Sequence, residues 1–358
     1  MKRKLFDKKI FKIALINLLF IASILLIFEL SLGHWFKKDH FGYNMRGKRL
    51  QKIDFSINNN KFKKKWTYRR DYYGFREDYA FDDKYDLSKI KIVFNGGSTG
   101  DEKILPYEET IVGNLNRLLT NSNLDIKIFN ASLQGKSLVG KINDFNHWFN
   151  KLENFNPKIM IFYMGINDRK IAKKNFTDNN EILSFKQYII NLISQRSFIW
   201  GFARDIKYSF FSVNQNLEGY HIFYDQEKPK NAFISYKKAK KLYKEFNSEE
   251  QKILKNYQKN LGKLRYILDK KKISPIFITQ IRRDGNGERI LFKLNEELKN
   301  FALSNDYSMI QLDELINSPI SDLFVDDYHT NQEGSLYISK KIFPHLKKII
   351  ETNLIENN

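Results

Sequence analysis

The sequence contains no cysteine among its 358 residues. This absence excludes disulfide bonds, thiolate metal sites and a cysteine nucleophile, and it leaves the redox compartment undetermined. Acidic residues are scarce relative to basic ones, since 41 Asp and Glu stand against 61 Lys and Arg, which gives a formal net charge of +20. Hydrophobic residues make up 42% of the chain and aromatic residues 15%, so there is enough apolar surface to form a packed core.

The positive charge is compatible with three kinds of partner: nucleic acid, anionic lipid or an acidic glycan. The lysines are spread along the chain, however, and no nucleic-acid-binding motif is present. Lys, Asn, Ile and Phe are abundant together, so codon bias is the simpler source of the charge. We therefore expect no nucleic-acid partner, and the sequence does not set an oligomeric state.

An apolar run at residues 11–32 is interrupted by only three strongly polar residues, Lys12, Asn17 and Glu29. A helix over this run would extend about 33 Å, which is enough to cross a hydrocarbon core of about 30 Å. Residues 1–10 are basic, and positive charge stays on the cytoplasmic side of a membrane. The sequence thus predicts a cytoplasmic tail over 1–10, a single-pass transmembrane anchor over 11–32, and a location outside the cytoplasm for the rest.

Two other interpretations of this run exist. A cleaved signal peptide would also begin with basic residues, and Ser31 and Gly33 are small residues at the spacing of a cleavage site. The apolar part of a signal peptide is only about 7–15 residues long, however, which is shorter than this run. A buried core helix is the other interpretation, but apolarity all round a helix is rare in soluble proteins. We therefore favour the uncleaved anchor.

Beyond the anchor, residues 33–88 are polar, basic and aromatic, and we interpret them as a connecting segment that lies on the main domain. From 89 to 350, apolar runs of strand length alternate with amphipathic helical patterns. Strands are predicted over 90–94, 126–129, 159–164, 276–279 and 308–312, and helices over 110–119, 141–154, 249–271, 291–304 and 332–351. This alternation predicts an α/β domain whose parallel sheet has helices on both faces. The basic, aromatic stretch 185–272 is interpreted as an insertion.

Four short polar segments follow the predicted strands or precede the last helix. NGGSTG (95–100) contains Ser98, NASLQG (130–135) ends with Gly135, GIND (165–168) contains Asn167, and VDDYH (325–329) contains Asp326 and His329. Open α/β sheets place their sites at the carboxyl ends of the strands, so these segments are expected to meet. A phosphate-binding loop is a poor match to NGGSTG, because the Lys-Ser/Thr of that motif is missing.

Asp326 and His329 stand three residues apart, so one tight turn can bring the carboxylate next to the imidazole. A serine nucleophile needs this kind of orienting pair. Each segment alone has an ordinary interpretation: Ser98 as a helix N-cap, Asn167 as a turn residue, or His329 as a solvated side chain. Their order and their placement at strand ends make the combination specific.

Together the four segments resemble the SGNH (GDSL-type) hydrolases. Members carry, in this order, a nucleophilic Ser, an oxyanion Gly, an oxyanion Asn and a catalytic Asp-x-x-His, and the matching residues are Ser98, Gly135, Asn167, Asp326 and His329. The resemblance covers about residues 90–346, with the stretch 185–272 largely outside it. YYGFR (72–76) is similar to a segment that precedes the domain in many single-pass bacterial members. One departure is Gly97, where the commoner signature has Asp.

The resemblance implies a flavodoxin-like three-layer sandwich with about five parallel strands, and an extracytoplasmic serine esterase that needs no metal or cofactor. Its substrate would be a carboxylic ester, with acetyl groups on envelope polysaccharide as the expected example. Arg282 and Arg283 would suit an acidic polymer, unless they are merely solvated. Two alternatives stay open: an O-acyltransferase that uses the same residues, and a non-catalytic envelope binding or assembly factor that keeps the fold.

Overall fold

A computed structural model of the chain describes residues 8–33, 35–36, 49, 51–58, 63–76, 84–170, 189, 193, 196–200, 202–203 and 232–355. The chain forms two compact units. One comprises Met1–Tyr43 and Ile182–Asn214, and the other comprises Asn44–Glu181 and Gln215–Asn358. Much of the predicted insertion at 185–272 lies outside the described residues, so the division of the chain into domains stays a prediction.

In chain order, the strands are β1 (Gln51–Asn58), β2 (Lys63–Arg70), β3 (Ile92–Asn95), β4 (Ile128–Asn130), β5 (Ile159–Tyr163), β6 (Ser274–Ile278) and β7 (Ser308–Ile310). The helices are α1 (Lys8–Leu32), α2 (Ser98–Asp101), α3 (Ile111–Asn121), α4 (Leu138–His147), α5 (Tyr236–Leu242), α6 (Ser248–Lys271), α7 (Arg289–Ser304), α8 (Leu312–Leu315) and α9 (Gln332–Ile350). Short 3₁₀ turns cover Leu87–Lys89, Tyr107–Glu109, Phe149–Lys151, Asp168–Lys170 and Ser321–Leu323, and a π-helical turn covers Glu351–Ile355.

Helix α1 belongs to the first unit. Its part from Ile10 to Leu32 is long and apolar enough to cross a membrane, and none of it is buried within the structure. The apolar side chains therefore have no protein core to pack against among the described residues. This agrees with the span predicted from the sequence, while its position in a membrane stays a prediction.

The second unit is built on a parallel sheet. Its described strands lie in the order β4-β3-β5-β6-β7, and every neighbouring pair is parallel. This is the 2-1-3-4-5 order of flavodoxin-like sheets, in which the strand order reverses beside the first strand of the sheet. The predicted α/β fold with about five parallel strands is confirmed.

Helices cover both faces of this sheet. On one face, α3 and α9 pack through Leu115, Leu119, Ile342 and Leu346 against alternate strand residues such as Ile161. The intervening strand residues turn to the other face, where the ring of Phe277 in β6 contacts Phe301 of α7. Strands β3 and β5 are buried at every position because both of their faces are covered.

The predicted boundaries of most elements differ from the observed ones by a few residues. Helix α4 is the largest exception: the sequence predicts it over 141–154, but it spans Leu138–His147. The Ser137 side chain accepts a hydrogen bond from Val139 N at 3.2 Å and starts the helix early. Strand β7 is also shorter than expected, because the chain turns into α8 at Leu312.

The connecting segment 33–88 contains a hairpin that the sequence patterns do not predict. Strands β1 and β2 pair antiparallel, with Phe55 opposite Trp66. One face of the hairpin, through Phe55, Trp66 and Tyr68, is buried in a small apolar cluster with Leu105 and Val325. The alternation of buried residues at 66, 68 and 70 has the period of two expected of a half-buried strand.

The end of the hairpin is held by a buried arginine. Arg70 is fully buried and donates to Asp101 Oδ1 at 3.0 Å, to Ser132 O at 2.9 Å and to Gly74 O at 2.9 Å. In the following YYGFR segment, Phe75 is fully buried and its ring contacts those of aromatic residues in the second unit. The described residues of the connecting segment between 51 and 76 are therefore packed into this unit by polar contacts as well as apolar ones.

We predict that Arg70→Met will lower the free energy of unfolding by about 3–5 kcal/mol, because it leaves the buried Asp101 carboxylate without its cation. Lys65→Met, on the exposed face of the same strand, is the matched control and should change stability by less than about 0.5 kcal/mol. Urea titration of both variants, followed by tryptophan fluorescence, measures the difference. Equal midpoints for both variants would mean that the hairpin does not stabilise the unit.

Candidate active site

Ser98 is the first residue of the short helix α2, directly after the carboxyl end of β3. The preceding loop is pinned by the hydroxyl of Ser132, which accepts a hydrogen bond from Gly96 N at 2.9 Å. A Cβ on Gly100 would lie 2.7 Å from the same hydroxyl oxygen, so the loop and Ser132 approach closely only because position 100 is glycine. The sharp turn that results leaves the Ser98 side chain partly exposed.

Ser98, His329 and Asp326 form one continuous hydrogen-bonded chain. The distance from Ser98 Oγ to His329 Nε2 is 2.9 Å, and that from His329 Nδ1 to Asp326 Oδ2 is 2.7 Å. The second carboxylate oxygen of Asp326 accepts from the backbone N–H groups of Tyr328 and His329, each at 2.7 Å. Burial alone would raise the pKa of Asp326, but hydrogen bonds and charge interaction with His329 lower it below its ordinary value.

The neighbouring acid, Asp327, turns away from this chain. Its carboxylate lies 3.1 Å from Arg283 Nε and 3.4 Å from Arg282 Nη2. The geometry therefore distinguishes the two adjacent acids: Asp326 contacts the imidazole, and Asp327 pairs with guanidinium groups. This is the register of the Asp-x-x-His spacing expected from the sequence.

Arg282 and Arg283 form ion pairs within the protein. They are therefore neither simply solvated nor a site for an acidic polymer, the two expectations from the sequence. Besides Asp327, Arg282 pairs with Asp284 at 3.2 Å and with Glu288 at 3.3 Å. Both arginine side chains are largely buried. Their charges are neutralised within the protein, so these two residues do not present a free cationic surface.

Tyr328 connects this ionic cluster to the segment GIND. Two guanidinium groups lie over its ring, with Arg169 Cζ 4.4 Å and Arg282 Cζ 5.0 Å from the ring centroid. Arg169 follows the GIND segment directly, donates to the Tyr328 hydroxyl and pairs with Glu288 at 2.5 Å. Cation–π and ionic contacts thus tie the loop that carries Asn167 to the turn that carries His329.

Asn167 lies beside the loop that carries Ser98. Its side-chain amide donates to Lys136 O at 3.1 Å, and a Cβ added at Gly97 would overlap its Nδ2 atom. The departure from the commoner signature therefore has a local reason, since the space beside Gly97 is filled by the Asn167 amide. The adjacent Asp168 accepts a hydrogen bond from Leu138 N at 2.7 Å, which fixes the turn that presents Asn167.

Gly135 lies in the exposed loop after β4 with a φ of +71°, a conformation that favours glycine. The next residue, Lys136, anchors this loop: its ammonium group is buried and lies 2.5 Å from Asp144 Oδ2. The same group donates to Asn95 Oδ1 at 3.2 Å and to Ala131 O at 2.9 Å. A buried cation thus fixes the backbone next to Gly135, a role that the sequence alone does not reveal.

The role of Gln280, just after β6, is also not predicted from the sequence. Its side-chain amide donates to Thr99 Oγ1 at 2.7 Å, and its carbonyl oxygen accepts from Ile166 N at 2.7 Å. Thr99 and Ile166 are the immediate neighbours of Ser98 and Asn167, so one buried side chain joins the two loops. A single glutamine after a strand has no motif, and only its position in the fold reveals this role.

Glu102 connects the end of helix α2, which begins at Ser98, to the segment after His329. Its Oε1 atom accepts from Thr330 Oγ1 at 2.9 Å and from Ser335 Oγ at 2.5 Å, and its Oε2 atom accepts from Ile111 N at 2.5 Å. Burial raises the pKa of Glu102 to about 7, against the hydrogen bonds that lower it. Glu102 is therefore a carboxyl group near the site whose pKa lies close to neutral pH, unlike that of Asp326.

The structure thus brings Ser98, Asp326 and His329 into direct contact and places Asn167 beside the loop that carries Ser98. Gly135 is linked to them through its neighbour Lys136, whose carbonyl accepts from Asn167. Within the described part of the chain, no group of three or more His, Asp or Glu side chains could hold a metal ion.

No protein-family model matches the chain, and no curated protein sequence matches it. Solved structures similar to it include the psychrotrophic esterase EstA from Pseudoalteromonas sp., with 14% identity, coverage of 73% of this chain and 98% of that chain, and a TM-score of 0.42. An acetylxylan esterase from Geobacillus stearothermophilus has 12% identity, coverage of 72% and 94%, and a TM-score of 0.43. A G-D-S-L family lipolytic protein from Veillonella parvula has 13% identity, coverage of 71% and 97%, and a TM-score of 0.39.

Two of these structures are named esterases, and the third is named a lipolytic protein of the G-D-S-L family.

Proposed function

We propose that the chain is a serine esterase in which Ser98 is the nucleophile, His329 the general base and Asp326 the residue that orients the imidazole. One observation carries this proposal: the three side chains form a continuous hydrogen-bonded chain with separations of 2.9 and 2.7 Å. These separations lie within the range over which a base can take a proton from a nucleophile.

The proposed reaction starts from the tautomer assigned to His329. Ionised Asp326 can only accept a hydrogen bond, so we assign the proton of His329 to Nδ1, which leaves Nε2 free to accept the hydroxyl proton of Ser98. Ser98 Oγ attacks the ester carbonyl carbon while its proton passes to Nε2, and the same proton then leaves with the alcohol. In the second half, water attacks the acyl-serine and gives a proton to His329. The bond between the acyl carbon and Ser98 Oγ then breaks, His329 returns the proton to Ser98 Oγ, and the carboxylic acid leaves.

The negative charge on the carbonyl oxygen needs donors during both attacks. We assign this role to the side-chain amide of Asn167 and to the backbone N–H groups of Ser98 and Gly135. The position of the Asn167 amide next to Gly97 and to the Lys136 carbonyl supports the assignment. A donor of this kind is worth about 2.7–4 kcal/mol in the transition state.

The substrate and location are also part of the proposal. The apolar helix Ile10–Leu32 and the basic residues before it support a membrane anchor with the second unit outside the cytoplasm. An esterase held there would meet O-acylated polysaccharides of the cell envelope, and acetyl esters are the substrates we expect. Since Arg282 and Arg283 are paired within the protein, they give no support to an acidic polymer.

The two adjacent acids provide a test of the proposed roles. We predict that Asp326→Asn will lower kcat for an acetyl ester by on the order of 10³–10⁴, because an amide favours the wrong imidazole tautomer. Asp327→Asn should lower kcat by a few-fold at most, since Asp327 pairs with Arg283 and not with His329. Steady-state hydrolysis of p-nitrophenyl acetate measures both. If Asp327 proves the critical residue, the proposed register is wrong.

The pH dependence provides a second test. A general base must be neutral, so hydrolysis should rise with pH and then level off. Asp326 adds no step near neutral pH because its pKa is lowered and it stays ionised. The pKa of Glu102 is about 7, so Glu102→Gln is the necessary control. The rise should persist in Glu102→Gln, and its loss would assign the ionisation to Glu102.

The third test concerns Asn167. Asn167→Ala should lower kcat by on the order of 10²–10³ with little change in KM, because the hydrogen bond strengthens in the transition state. Asn121→Ala, at the exposed end of α3, is the control and should leave both constants unchanged. Unchanged kcat in Asn167→Ala would make Asn167 a turn residue only.

A further inference from the structure

The last turn of helix α1 contains a carboxylate that is satisfied by another part of the chain. Glu29 Oε2 accepts hydrogen bonds from Ser197 Oγ at 3.1 Å and from Ile199 N at 3.0 Å. Its other oxygen accepts from Trp35 Nε1 at 2.5 Å. A carboxylate within a membrane span is unfavourable unless it is paired. The hydrogen bonds from Ser197 and Ile199 therefore stabilise Glu29 in the last turn of the helix.

The contact is close as well as polar. The backbone at Gly33 approaches Arg196 so nearly that a Cβ on Gly33 would lie 2.9 Å from the Arg196 carbonyl oxygen. Arg196 in turn donates to Trp35 O at 3.4 Å. Helix α1 ends at Leu32, and each helical residue rises about 1.5 Å, so Glu29 lies about 4.5 Å inside that end. Ser197 and Ile199 are therefore at the level of the last turn of the helix.

The residues around this contact expose large apolar side chains. We call Ile193, residues 196–200, Phe202 and Ala203 the interface segment. Within it Ile193 is 38% exposed, Trp200 48% and Phe202 58%, and Phe36 beyond the helix is 84% exposed. The Phe198 and Phe202 rings stack at 6.0 Å, one helical turn apart. In water such a patch would be unfavourable, whereas aromatic side chains are enriched where a span meets the membrane surface.

We propose that the interface segment is a second membrane contact of this chain, in which Trp200 and Phe202 insert into the interfacial region of the same bilayer that holds helix α1. This rests on the anchor of the proposed function, but not on the esterase chemistry. Bilayer lipid is the occupant because the segment is bound through Glu29 to the last turn of the span itself. The chain would then be attached to the membrane at two places separated by more than 150 residues of sequence.

The absence of cysteine makes this testable with single labels. Full-length variants Phe202→Cys and Trp200→Cys carry a nitroxide and are placed in vesicles of phosphatidylethanolamine and phosphatidylglycerol. Power-saturation EPR compares the accessibility of each label to oxygen, which concentrates in lipid, and to a water-soluble nickel complex. Phe20→Cys, in the span and 66% exposed, is the lipid reference, and Leu303→Cys, in α7 and 83% exposed, is the aqueous reference.

We expect the oxygen-to-nickel accessibility ratio at positions 200 and 202 to be shifted from the Leu303 value toward the Phe20 value. Ratios equal to that of Leu303, with Phe20 in lipid, would overturn the second contact alone. An aqueous ratio at Phe20 would overturn the anchor and the second contact together. Adding Ser98→Ala to Phe202→Cys should leave the accessibility ratio unchanged, because the membrane contact does not depend on the esterase chemistry. Hydrolysis tests the esterase proposal separately: Ser98→Ala should abolish it, and persistence of hydrolysis would contradict the esterase proposal alone.

Discussion

The hydrogen bond between Ser98 Oγ and His329 Nε2 joins residues that are 231 positions apart. Neither partner reaches the other through local structure: Ser98 is placed by the end of β3, and His329 by the turn before α9. The parallel sheet makes the meeting possible, because the carboxyl ends of its strands share one edge. The core that packs α3 and α9 onto one face of the sheet fixes the distance between the end of β3 and the turn before α9.

Buried polar side chains hold the loops around this hydrogen bond. Glu102 binds the end of helix α2 to Thr330, Gln280 binds Thr99 to Ile166, and Lys136 pairs with Asp144 beside Gly135. Each is almost fully buried and makes several hydrogen bonds, so removal of one partner lowers stability. The hairpin contributes through Arg70, which donates to the carbonyl of Ser132, and the Ser132 hydroxyl accepts from Gly96 N in the loop before Ser98. The site thus depends on a network that extends well beyond the residues proposed to react.

The sequence predicts those features that repeat or that have a motif. Apolar runs with flanking glycine and polar residues identify β3, β4, β5 and β6. The order of four motifs selects Ser98, Gly135, Asn167, Asp326 and His329. The hairpin β1–β2 is not predicted from the sequence, because its apolar alternation is short and lies among lysines. Gln280 and Lys136 escape because a single polar residue has no pattern, and its role depends on which atoms folding brings near it. The pairing of Arg282 and Arg283 with Asp327 likewise follows only from tertiary structure.

The central claim is that Ser98 is a nucleophile activated by His329, and covalent capture tests it most directly. The intact protein is incubated with a fluorophosphonate probe, digested, and the labelled peptide is mapped by mass spectrometry. We predict one labelled residue, Ser98, with labelling strongly reduced in His329→Ala and retained in Asp327→Asn. Absence of label on Ser98 in folded protein, or label on another serine, would contradict this claim and favour a non-catalytic binding or assembly factor.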